Sequence, residues 1–116
     1  MKKEEFIKRL YQSVIKENGT IYQDLFANTD INAGKDSYWK KALKFYSELN
    51  DEGKEILFKV IEQLQVDTVS NVLGIFDGIV SISDEEIEIN MTVEGIDEPL
   101  NGELQDLFLE YDEENR

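Results

Sequence analysis

Carboxylates are the chemically capable groups that this chain holds in quantity: 26 Asp and Glu stand against 12 Lys and Arg, with no His and no Cys. Asp84, Glu85, Glu86 and Glu88 lie closest together, and Glu94, Asp97 and Glu98 follow shortly after. Oxygen ligands of this kind can gather a hard divalent cation, and a well-spaced pair could do glycosidase-like chemistry. Acid runs on turns are ordinarily solvated instead, so neither a metal site nor a catalytic residue is assigned. The missing residue types exclude more than the present ones suggest. Without thiols there are no disulfides, thiol nucleophiles or Cys-based zinc sites. Without imidazole the usual general base is gone, and with it the Ser-His-Asp arrangement.

A second candidate is the polar face formed by Asp67, Ser70 and Asn71, with Gly74 and Gly78 beside it. It reads either as a binding surface next to an apolar pocket or as a solvated face with a close helix crossing at Gly74. The loop Asn28 to Lys35 (NTDINAGK) places Asp30, Asn32 and Gly34 at intervals resembling a calcium loop. It lacks the further oxygen ligands and the closing Glu, so that reading is rejected. Lys40, Lys41 and Lys44 line the side opposite Trp39, Ala42, Leu43, Tyr46 and Leu49, beside the aromatics. Such a pattern can bind single-stranded nucleic acid. Here the aromatics fall at core spacing, and the lysines are read as snorkelling beside them. No glycine-rich phosphate loop is present, and no cofactor is expected.

Charge is placed unevenly. Residues 1–58 hold ten basic and ten acidic side chains, whereas residues 59–116 hold two basic and sixteen acidic ones, 2 − 16 = −14. The whole formal charge of −14 therefore belongs to the second half. That field repels nucleic acid and anionic membranes and favours a cationic partner. Absence of a long apolar run predicts no membrane span. Acidic residues within MKKEEFIKRL argue against a signal peptide, so a cytoplasmic location is expected.

The elements that must carry these residues are read from periodicity. At 116 residues with 41% hydrophobic content, one domain is expected. Phe6, Ile7, Leu10, Tyr11, Val14 and Ile15 predict a helix over 3–18 that stops at Gly19. Thr20 to Gln23 matches a capping box, opening a short helix to about Ala27. Another helix is expected from Asp36 or Ser37 to Leu49. The centre of the chain is residues 51–77, capped by Asn50, as one long helix or a helix pair. Its two apolar stripes, Leu57/Val60/Ile61/Leu64 and Val69/Val72/Leu73/Phe76, are turned by roughly 100° from each other. Either the helix breaks near Val66–Thr68, where Asp67 could cap a second piece, or its length passes under different partners. Ile87, Ile89, Met91 and Val93 then alternate with polar residues, the pattern of a half-buried strand. With Ile79 to Ile82 this predicts an antiparallel β-hairpin over 79–94. A last helix follows from Glu103 to Tyr111, capped by Asn101, with a frayed tail. The expected fold is α+β: four to five helices and one hairpin.

The run DTVSNVLGIFDG (Asp67–Gly78), the hairpin pattern after it and LQDLFLEY (Leu104–Tyr111) resemble a recurring type of small acidic bacterial protein. In size and acidity the chain is similar to immunity proteins that neutralise toxins. The resemblance supplies no site residues. The function expected is non-enzymatic binding of a basic protein through Asp84, Glu85, Glu86, Glu88, Glu94, Asp97 and Glu98. Two alternatives stand beside it. One is a small carboxylate-based enzyme or ligand carrier using Asp67, Ser70 and Asn71. The other is a homodimeric module in which the two-sided apolar character of residues 57–76 is shared between subunits.

Overall fold

The computed structural model describes residues 1–33 and 36–116. The first helix does not stop at Gly19. Lys3–Tyr11 (α1) passes through a π-helical stretch, Gln12–Glu17, into Asn18–Asn28 (α2) without interruption. Thr20 is no cap: its Oγ1 donates back to the Lys16 carbonyl at 3.1 Å, the bond of a residue inside a helix. The π stretch has a consequence for packing. Steps of four residues drift about 40° along an α-helix, which turns 100° per residue. A wider i→i+5 turn takes back some of that drift. Ile7, Tyr11 and Ile15 thereby stay aimed into the core, each 1% exposed or less.

After a short 3₁₀ turn at Ile31–Ala33 comes α3, Ser37–Ser47. Asp36 caps it by accepting from the Tyr38 amide at 2.9 Å. In the loop before it, Asp30 Oδ1 accepts from the Asn32 amide at 2.9 Å. The candidate calcium-loop residue Gly34 lies outside the described residues.

Helix α4 runs unbroken from Asp51 to Phe76, 26 residues and about 39 Å. Asn50 Oδ1 accepts from the Gly53 amide at 2.7 Å, satisfying one free donor of the first turn. No break occurs near Val66–Thr68. Asp67 there accepts from Gln63 Nε2 at 2.9 Å, one helical turn back, instead of capping a new helix. The length does pass under different neighbours, but not along the whole of the expected first stripe, of which Val60 and Leu64 are exposed. Phe58 joins an aromatic cluster with Phe26 of α2 and Tyr46 of α3, with ring centroids 5.0–5.9 Å apart. Further on, Val66 and Leu73 pack with Ile7, Tyr11, Leu104 and Phe108 in the main core. The last two belong to α5, Leu104–Glu114.

The β-hairpin predicted over 79–94 is absent. Among the described residues there is no strand, so the fold is helical and the α+β expectation is corrected. The alternation itself is real: Ile89, Met91 and Val93 are partly buried, while Glu88, Asn90, Thr92 and Glu94 are exposed. What fails is the pairing. The amides of Ile79 and Val80 turn back to the Gly74 carbonyl (2.9 and 3.1 Å), so this stretch closes the end of α4 instead of forming a strand. The place of a neighbouring strand is taken by the Asn101 side chain and one backbone bond, the Leu100 amide donating to the Met91 carbonyl at 2.9 Å. Asn101 Nδ2 donates to the Ile89 carbonyl at 2.6 Å, and Asn101 Oδ1 accepts from the Met91 amide at 3.0 Å. A carboxamide here mimics a peptide group. Period two therefore marks a half-buried surface, and it does not by itself demand a partner strand.

Candidate binding surface

The acidic residues sit on the long connection between α4 and α5, which is anchored at both ends by side chains. Asp77, just past the end of α4, accepts through Oδ1 from the Gly102 amide (2.6 Å) and the Leu104 amide (3.2 Å). Its Oδ2 accepts from the Gln105 amide at 2.8 Å. A carboxylate thus satisfies the free donors at the start of α5 and faces the positive end of its dipole. Asn101, expected as the cap of α5, does something else. Besides its bonds to the connection, it donates to the Phe76 carbonyl at 2.7 Å and so ties the segment to the end of α4.

Between these anchors Asp84, Glu85, Glu86, Glu88, Glu94, Asp97 and Glu98 are all exposed. Among the described residues, only Glu98 of the seven forms an ion pair, at 3.7 Å from Lys3 Nζ. Lys3 also holds Glu103 at 3.1 Å, joining the start of α1 to the start of α5. Asp84, Glu85, Glu86 and Glu88 border an open hollow of about 750 Å³ between the end of α4 and the connection. Among the described residues no three carboxylates converge closely enough to hold a metal ion.

Asp67, Ser70 and Asn71 do not form one site. Ser70 is 7% exposed and is used inside the fold: its carbonyl and hydroxyl accept from Gln105 Nε2 at 3.1 and 3.3 Å. Asp67 and Asn71 are exposed. Gly74 is where the backbone must come close, because a Cβ there would lie 2.8 Å from both Gln105 Nε2 and a methyl of Val80.

One polar constellation escaped the sequence reading. Tyr11, fully buried, donates its hydroxyl to Asp112 Oδ1 at 2.7 Å, and Arg116 Nε donates to Asp112 Oδ2 at 2.7 Å. Burial above all, then the hydrogen bond to Asp112 and its charge, pushes the Tyr11 phenol well above its ordinary range. The phenol therefore stays protonated well beyond neutral pH, as the donor of that bond. The tail expected to fray is thus part of the fold: α5 continues to Glu114, and Asp112 is 3% exposed. The signal was available, since Leu104, Phe108 and Asp112 share one helical face.

Comparison with protein-family models, with curated proteins and with solved structures found no match. Among the described residues no helix is long and apolar enough to cross a membrane.

Proposed function

We propose that this is a non-enzymatic cytoplasmic binding protein that presents the carboxylates of residues 84–98 to a basic protein surface. The observation that carries the reading is the absence of internal neutralisation. Asp84, Glu85, Glu86, Glu88, Glu94 and Asp97 are exposed, and among the described residues none lies within ion-pair distance of a cation. Unpaired acids on one segment raise the local negative potential, which steers a cationic partner and speeds its docking. The anchors at Asp77 and Asn101 hold that segment on the fold, which lowers the ordering cost of binding. Neutralising a toxin with a basic surface is the sharpest form of this role, and it agrees with the resemblance in size and acidity.

The test is an affinity capture with the full chain beside a variant carrying Asp84→Asn, Glu85→Gln, Glu86→Gln and Glu88→Gln. A basic protein retained at low salt, released at high salt and not retained by the variant supports the reading. Equal retention by both proteins, or no basic partner at any salt, overturns it.

A further inference from the structure

The first half of α4 leaves apolar surface uncovered. On α4, Ile56, Val60 and Leu64 follow one another at intervals of four and are 53%, 61% and 65% exposed. They lie on the side of the helix away from Phe58, Val66 and Leu73, which face the aromatic cluster and the core. On the adjacent helices Ile21 and Phe45 are 52% and 57% exposed. The molecule as a whole shows the same shortfall in burial. Its radius of gyration is 17.9 Å, against about 13.4 Å for a compact chain of this length. Its accessible surface is 8389 Å², against about 6,500 Å² for a folded monomer of this mass. The surplus of about 1,900 Å² exceeds the roughly 800 Å² that each partner contributes to a standard stable interface.

We infer that a second copy of this chain covers the stripe, with the two α4 helices crossing antiparallel about Val60. Three observations select a second copy as the occupant. The surplus surface, taken over the whole molecule, exceeds one partner's share of a standard interface. The stripe is symmetric about Val60, so an antiparallel copy lays Ile56 over Leu64 and Val60 over Val60, the self-complementarity that a two-fold contact requires. Charge also permits it. Residues 53–66 hold Lys54 and Lys59 against Glu55 and Glu62, no net charge, so the copies can approach through this stretch although each chain is at −14. The acidic connection begins past Phe76, about 24 Å along the helix from Val60. An antiparallel crossing sends the two connections to opposite ends, several screening lengths of ~8 Å apart. A parallel crossing would bring them together.

The inference is independent of the basic partner proposed above, and one residue tests it. The chain has no cysteine, so Val60→Cys introduces a single thiol at the expected two-fold axis. Sedimentation of the unaltered protein from about 1 to about 200 µM should show twice the 13.5 kDa chain mass, and about 1 M salt should not dissociate it. Val60→Cys should oxidise to a disulfide-linked pair, whereas Leu109→Cys on α5 should not. Val60→Lys, which sets like charges together on the axis, should sediment as a monomer with unchanged helical circular dichroism. A strictly monomeric natural chain over that range overturns the inference. So does a dimer in which Val60→Cys fails to cross-link, or one that Val60→Lys leaves intact.

Discussion

Tyr11 and Asp112, 101 positions apart, meet in the core with phenol and carboxylate 2.7 Å from each other. The contact closes the first helix against the last. Both ends of the described chain are thereby committed to one core. Around it, Phe108 and Tyr111 pack on the Tyr11 ring at centroid distances of 5.5 and 5.0 Å. The ring supplies burial and the hydroxyl supplies direction.

Tyr11→Phe keeps the ring and deletes the donor, leaving a buried carboxylate oxygen without its partner. The expected loss is about 1–3 kcal/mol of unfolding free energy, read from the urea midpoint at neutral pH. Arg116→Ala should cost less, because the arginine side chain is half exposed and water can replace it.

The same pair predicts a loss of stability in alkali. Tyr11 titrates above its ordinary value near 10 in the folded protein. An acid whose folded value is raised contributes stability that is complete below its unfolded value and is lost as the pH climbs past it. The unfolding midpoint should therefore fall between about pH 9 and about pH 11, and more steeply in the natural protein than in Tyr11→Phe. Parallel curves for the two proteins would contradict the assignment.

Asp77→Ala removes the acceptor shared by three amides at the start of α5. A lost cap costs about 1–2 kcal/mol. The local signature is faster hydrogen exchange at the Gly102, Leu104 and Gln105 amides, with the amides of α3 unaffected. Asp77→Asn should recover part of the loss, since an amide oxygen still accepts.

Asn101→Asp keeps the shape but withdraws both donors and sets a negative charge beside the carbonyls of Phe76 and Ile89. Leaving these partly buried groups unpaired should cost about 1–3 kcal/mol. Exchange at the Met91 amide should change little, because a carboxylate oxygen still accepts there, so the loss reports the two donors alone. Under the proposed function this variant should also weaken capture of a basic partner, although it adds negative charge, because the acidic segment loses an anchor.

Short-range chemistry was legible in the residues themselves. Asn50 and Asp36 cap their helices through bonds spanning three and two positions, and a few neighbouring residues suffice to read such bonds. The uneven charge and the missing imidazole and thiol are equally properties of the chain alone. Period two marked Ile89, Met91 and Val93 as turning inward but failed at Ile87, which is exposed, and it could not name what the backbone would pair with. That choice fell to Asn101, ten positions beyond Met91, and to Gly74, whose carbonyl drew Ile79 and Val80 out of strand pairing. Gly19 likewise read as a stop, yet the helix runs through it, and Ile15 and Tyr11 before it pack against the core. Only the tertiary structure could show that Asp112 is buried, that Ser70 serves Gln105, and that the acids from Asp84 to Asp97 have no ion-pair partner among the described residues. Each of these depends on groups brought together from distant parts of the chain, and a local pattern cannot specify a contact whose other half lies a hundred residues away.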